Sequence, residues 1–216
     1  MFRGMKTIAI AAVMMSAMAA SAQAATIIDF RNGVSAAGGS ITWDGTNVFG
    51  SNLPIGTVEV AGAPTGNGVY GVYGSVAQAS GNYGDLDFNT QTGMVTLTGC
   101  IPGLVGTLTQ AGTCSSTVPL LSGTITGFTV NGPRGILDFT GFDTKYPALL
   151  TAIGLSPNTP FVIDTFALLT GSLSPNGPAT SSISTDVRNT AVPEPATMML
   201  LGTGLLAAFR ARRRVA

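Results

Sequence analysis

From Thr26 to Asn189 the chain alternates apolar and polar residues in short runs, each bounded by Gly, Asn, Pro or Asp. A period of two predicts strands. The first runs are Thr26–Arg31, Ile41–Trp43, Thr57–Val60 and a Gly-interleaved Val69–Val76, expected as a flat or edge strand. Asp85–Asn89 alternates strictly: Asp85, Asp87 and Asn89 face one way, Leu86 and Phe88 the other. The turn Thr90-Gln91-Thr92-Gly93 leads into Met94–Thr98, so these two runs predict the clearest hairpin. Gly123–Asn131 and Gly135–Thr140, joined by Gly132-Pro133, predict a second. Phe161–Leu169 and Thr180–Asn189 complete the set, with Ile183 and Val187 inward. One helix is expected over Tyr146–Ile153, where Leu149, Leu150 and Ile153 form an apolar patch, Asp143 or Thr144 serves as cap, and Gly154 ends it. The pattern predicts an all-β domain with one short helix: a β-sandwich, jelly-roll-like in topology.

The two ends break this pattern. Arg3 and Lys6 precede 14 uncharged, mostly apolar residues, Thr7 to Ala20, followed by small residues with an Ala22-x-Ala24 spacing. That is the three-part layout of a secretory signal, with cleavage expected between Ala24 and Ala25, or after Ala22. As a helix the run spans about 21 Å, short of a bilayer core. At the other end Val192-Pro193-Glu194-Pro195 precedes an uncharged run, Ala196–Phe209, and then Arg210, Arg212, Arg213 and Arg214. Two prolines around one glutamate exclude a helix interior or a central strand, leaving an extended, accessible segment. The arginines hold their end in the cytoplasm, while the N-terminal signal sends the intervening chain outward.

A Pro-Glu-Pro motif, a short apolar helix containing Leu-Leu-Gly-Thr-Gly-Leu-Leu at 200–206, and an Arg cluster together resemble the PEP-CTERM sorting domain. The run Ser184–Thr190 is also similar to the last strand of such proteins. The resemblance implies an exosortase as processing partner: a membrane-embedded cysteine transpeptidase cutting near the motif. It further implies release or attachment of the product at the surface of a Gram-negative bacterium that makes exopolysaccharide. The expected organisation is a signal peptide at 1–24, a β-sandwich domain at 25–190, and a sorting tail at 191–216. Expected partners are signal peptidase, the exosortase, transiently the inner membrane, and exopolysaccharide.

Trimming both ends changes the charge. The whole chain is neutral, but residues 25–195 keep all ten acids and only four cations, Arg31, Arg134, Lys145 and Arg188, for a net charge of −6. An acidic domain without a basic run is a poor nucleic-acid ligand. Cys100 and Cys114, the only cysteines, are expected to form a disulfide in an exported chain.

The chain has no histidine, which removes the commonest general base and the Ser-His-Asp triad; no Gly-x-Ser-x-Gly or Walker loop occurs. The domain is therefore expected to be non-catalytic and to hold no cofactor. Asp85-x-Asp87-x-Asn89 matches the start of a calcium loop, but Thr90 stands where Gly is needed and no Glu closes twelve residues, so a polar hairpin face is preferred. Among Trp43, Tyr70, Tyr73, Tyr83 and Tyr146, the Gly-flanked Tyr70, Tyr73 and Tyr83 are candidates for stacking on sugars. Two functions of different class follow: a structural protein of the cell surface or extracellular matrix, and a module binding exopolysaccharide, with calcium dependence as a variant.

Overall fold

Alternation at this density leaves the backbone one cooperative way to satisfy its polar groups, the pairing of strands. The computed structural model describes residues 25–32, 38–78 and 81–192, together with Gly204. The expected signal helix and C-terminal apolar helix lie outside these residues. In chain order the strands are β1 (Ile27–Arg31), β2 (Gly38–Trp43), β3 (Val48–Ile55), β4 (Thr57–Ala61), β5 (Gly68–Gly71), β6 (Tyr73–Gln78), β7 (Gly81–Asn89), β8 (Met94–Gly99), β9 (Val118–Asn131), β10 (Ile136–Lys145), β11 (Phe161–Thr170) and β12 (Thr180–Ala191). One short helix, α1 (Pro147–Ala152), links β10 to β11. Among the described residues no helix is long and apolar enough to cross a membrane.

The strands run β11-β10-β9-β8-β7-β3-β2-β12, and β12 pairs back onto β11, closing an antiparallel barrel of eight. This corrects the expected jelly-roll sandwich. The cause is the length of β12. One edge pairs with β11 from Phe161↔Ala191 to Thr170↔Ser182; the other takes β2 near Thr180 and β1 from Asp186 to Thr190. β1 and β2 thus succeed one another along a single edge, and β3 and β4 return beside them. β4 and β5 extend the sheet beyond β1, and β6 pairs with β7.

Both predicted hairpins form. Asn89 pairs with Met94 across the first turn, where Asn89 Oδ1 accepts from the amides of Gln91 (2.9 Å) and Thr92 (3.2 Å) and Gly93 has φ +71°. Asn131 pairs with Ile136 across a 3-10 turn at Gly132–Arg134. β3 escapes the alternation reading because Gly50, Asn52 and Pro54 interrupt it; Asn52 sits at φ 53° within a register shift between Gly50 and Leu53. The expected Val69–Val76 strand divides at buried Val72, whose amide donates to Gly56 O (2.9 Å). Ile183, expected inward, is 56 % exposed, while Val187 is buried. Register shifts at Thr180/Ser182 and Leu169/Thr170 put Ser182 and Thr185 inside and turn Ile183 and Ser184 outward.

The barrel interior is aromatic toward one end. Phe88, Phe139 and Phe166 pack with ring centroids 4.5–5.5 Å apart. Gly50 makes room for Phe88, since a Cβ there would meet its ring. Leu149, Leu150 and Ile153 of α1 and its C-cap are buried, as the apolar patch predicted. The predicted caps do not act: Tyr146 occupies the N-cap without a side-chain bond, Pro147 begins the helix, and Asp143 and Thr144 belong to β10.

Candidate functional site

β1 begins and β12 ends as antiparallel neighbours, Ile27 opposite Thr190, so both ends of the unit Ala25–Val192 emerge at one end of the barrel. The pairing does not fray there. Ala191 N–H donates to Thr26 O (2.9 Å), and Val192 N–H to Pro160 O (2.9 Å). Pro193 is the next residue, so hydrogen-bonded structure runs to the edge of the Pro-Glu-Pro motif without an intervening linker. Ala25, expected as the first residue after signal cleavage, is exposed two positions before β1. Ala22, Ala24, Pro193, Glu194, Pro195, Arg210, Arg212, Arg213 and Arg214 lie outside the described residues.

The same barrel end is roofed by α1 and the β4–β5 connection: Thr65 N–H donates to Ile153 O (3.1 Å), and its hydroxyl to Ala152 O (3.2 Å). Beneath this roof lies an ion pair that alternation read short of Thr140 does not reveal. β10 continues to Lys145, so Asp143 and Lys145 share the inward parity of Leu137 and Phe139. Lys145 Nζ donates to Asp143 Oδ1 (2.6 Å), both side chains fully buried. The ammonium lies 4.9 Å from the Phe161 ring centroid and 5.7 Å from that of Phe30, within cation–π range. Burial pushes Lys145 down to about 8 and Asp143 up, each partner opposing the shift of the other. Asp143 Oδ2 has no hydrogen-bond donor.

A second charged group sits on the wall. Register places Asp29 and Arg31 of β1 beside Asp186 and Arg188 of β12 and Glu59 of β4. Arg31 bonds Asp29 and reaches Glu59 at 3.2 Å, and the hydrogen bond from Arg31 to Asp29 raises the guanidinium further. Burial raises the Asp186 carboxyl to about 6, and its carboxyl contact with Asp29 pushes the same way. Oδ1 of each aspartate lacks a donor. Only the alternation of Asp29-x-Arg31 and Asp186-x-Arg188 hinted at this cluster; the pairing of β1 with β12 makes it.

The remaining candidates are dispersed. Cys100 and Cys114 form a disulfide with Cα atoms 5.9 Å apart, closing an irregular loop with isolated pairings at Ile101–Val105 and Leu108–Cys114. Asp85, Asp87 and Asn89 line the outer face of β7, but Asp87 Oδ1 accepts the Asn52 amide (2.9 Å) and Asn89 serves its own turn. Tyr70 spends its hydroxyl on Gly66 O (2.9 Å). Tyr73 and Tyr83 are directly paired across β6 and β7. Each is half-buried, its ring backed by glycine: a Cβ at Gly71 would lie 2.6 Å from Tyr73, and one at Gly81 2.6 Å from Tyr83. Trp43 and Tyr146 pack against the core.

Residues 191–214 match the PEP-CTERM protein-sorting motif, beginning at the last residue of β12. No curated protein and no solved structure matches the chain.

Proposed function

We propose that this chain is the precursor of an exported, exosortase-sorted structural protein of the cell surface or extracellular matrix. Its organisation is a signal peptide at 1–24, a mature domain at 25–190, and a sorting tail at 191–216. The observation that carries the reading is the PEP-CTERM motif at 191–214, set directly behind a hydrogen-bonded terminal strand. The tail holds the precursor in the inner membrane, the exosortase cuts near Pro193–Pro195, and the barrel leaves as a non-catalytic building block. Supporting a structural role, the barrel is closed by strand pairing around its whole circumference and its β8–β9 connection is tied by a disulfide, with sparse charge and no histidine.

Intact-mass measurement on protein from the native envelope and medium tests this. The expected species starts at Ala25, ends near Pro195 and takes up two hydrogens on reduction. A product still ending at Ala216 makes the tail a permanent anchor and removes the sorting reading.

A second reading, exopolysaccharide binding, draws on Tyr73 and Tyr83. Gly71 lies against the Tyr73 ring and Gly56 and Gly81 against the Tyr83 ring, both half-buried aromatics of the kind that can stack on the apolar face of a pyranose. Glycan-array binding lost in Tyr73→Ala supports it; a flat array for the parent protein rejects it. Loss on chelation identifies the calcium-dependent variant.

A further inference from the structure

Between residues 25 and 192 the chain has a single lysine, and it is not on the surface. Lys145 and Asp143 are sealed side by side inside the barrel, and a third polar side chain shares that interior. Asn189 of β12 is fully buried, with Ile28 of β1 opposite it on one side and Ile163 of β11 on the other. Its Nδ2 donates to the carbonyls of Ile28 (3.2 Å) and Val187 (3.0 Å), which turns the amine end of the amide toward the wall. Its Oδ1 accepts no hydrogen bond. A buried acceptor without a donor weakens the fold around it, so its presence here calls for a chemical reason.

Strand register brings this amide beneath the lysine. Phe30 pairs with Val187 and Phe161 with Ala191, so the two rings flank β12 from opposite sides, one two residues before Asn189 and one two residues after it. Each offset is about 7 Å along the strand, with the flanking strands about 5 Å to either side, which makes Asn189 the midpoint between the rings. The Lys145 ammonium lies 4.9 Å from the Phe161 centroid and 5.7 Å from that of Phe30, so it stands over that midpoint. Its resting contact is with Asp143, and its flexible four-carbon stem lets Nζ swing toward Asn189 by side-chain rotation alone. The charged groups on the flanking strands, Asp29, Arg31, Asp164, Asp186 and Arg188, have the opposite, outward parity. β9 and α1 add no Asp, Glu, Lys or Arg. Among the described residues, Asp143 is therefore the one charged group that faces the amine.

We propose that Lys145 and Asn189 are the partners of an internal amide cross-link, with Asp143 as the group that moves the protons. The neutral amine of Lys145 attacks Cγ of Asn189, and the Asp143 carboxylate takes the proton that the attacking nitrogen sheds as the new C–N bond forms. Asp143 then passes that proton to Nδ2, the Cγ–Nδ2 bond breaks, and ammonia leaves. The balance needs no oxidant, metal or co-reactant. Burial favours the amine by pushing Lys145 down to about 8, and it makes Asp143 a stronger base by raising it. Below neutrality the amine keeps its proton and the ion pair persists; the free fraction rises about tenfold per pH unit up to about 8. Full burial of all three side chains keeps water from competing for Cγ. The bond ties β10 to β12 across the intervening β11, so the strand that ends the domain is fastened to the barrel covalently. The cross-link goes beyond the sorting reading and does not depend on it. Because it forms once per chain, it adds no activity toward other molecules.

The test uses the full chain in detergent, prepared at about pH 6 and then held at about pH 9, on either side of the Lys145 titration. Intact mass is expected to fall by one ammonia. Trypsin is expected to spare the bond after Lys145 and to yield Gly135–Arg188 joined to the peptide that begins at Asn189. The rate should rise about tenfold per pH unit and level off above about pH 8. Lys145→Met and Asn189→Ala should give no branched peptide, and Asp143→Asn should form it at least about 100-fold more slowly. A parent chain that gives no branched peptide overturns the cross-link. So does loss of water in place of ammonia, which puts the amide between Lys145 and Asp143. Loss of ammonia that maps to Asn32-Gly33, Asn67-Gly68, Asn131-Gly132 or Asn176-Gly177 overturns it as well, since an asparagine before glycine can cyclise onto the next backbone nitrogen. None of these outcomes touches the sorting reading, which is decided by where the mature chain ends.

Discussion

Replacing Lys145 with Met nearly keeps the volume of the side chain, one heavy atom shorter, and removes the cation. In the parent protein Lys145 Nζ has Asp143 Oδ1 at 2.6 Å and two aromatic rings within 6 Å, all without solvent contact. Asp143 Oδ2 already lacks a donor, so Lys145→Met leaves the whole carboxyl unpaired in the barrel. Breaking a buried pair from one side costs about 3–5 kcal/mol. Removing both charges by Asp143→Leu with Lys145→Met is expected to recover most of that loss, since a well-packed apolar replacement of a buried pair is often neutral or stabilising by about 1–4 kcal/mol. The pH dependence identifies the cause. With Lys145 gone, Asp143 keeps only the desolvation that already raises it, so its folded pKa lies above the unfolded value. Its proton is then bound more tightly in the folded state, and stability is full below about pH 4 and falls as pH rises through the folded pKa. The Lys145→Met deficit should therefore be largest near neutrality and shrink toward pH 4. Denaturant unfolding of the parent, Lys145→Met, Asp143→Leu and the double variant across that range measures it. A single-variant loss below about 1 kcal/mol, or a double variant as weak as the sum of the singles, would refute the reasoning.

Asp186 shows the same sign in a half-exposed setting. Its folded pKa of about 6 lies above an unfolded value near 3.9, so its contribution is full below about pH 4 and is lost as pH rises through 6. Asp186→Asn removes the titrating carboxyl and should flatten that part of the stability profile and raise the melting temperature above pH 7; an unchanged profile rejects the raised Asp186 carboxyl as its source. Cys100→Ser with Cys114→Ser should cost about 3 kcal/mol, the loop-closure value for a sequence separation of 14, read as a drop in denaturation midpoint that reductant reproduces in the parent alone. Gly50→Ala pushes a Cβ into Phe88 at the centre of the aromatic cluster and should cost about 1–3 kcal/mol by overpacking; a neutral result would mean that the cluster yields.

Much of this protein is legible in one dimension because the relevant forces are local or compositional. Strict alternation gave Asp85–Asn89 and Met94–Thr98 their faces, since side chains of a strand must point alternately, and the Gly93 turn joined them in the expected register. The Pro-Glu-Pro tail with its apolar run and arginines is a linear signal, recognisable without any fold. Cys100 and Cys114 had only each other to pair with. Tertiary structure alone decided which strands meet. Nothing in Thr180–Ala191 announces that one edge serves β11 and the other both β2 and β1, because strand pairing is set by backbone groups that every residue shares. From that choice follow the closed barrel, the outward turn of Ile183 at a register shift, and the cluster of Asp29, Arg31, Glu59 and Asp186. Continuation of β10 past Thr140 likewise turned expected helix caps into a buried ion pair. The same pairing of β1 with β12 brings both ends of the domain to one end of the barrel, because strands that neighbour antiparallel must begin and finish together.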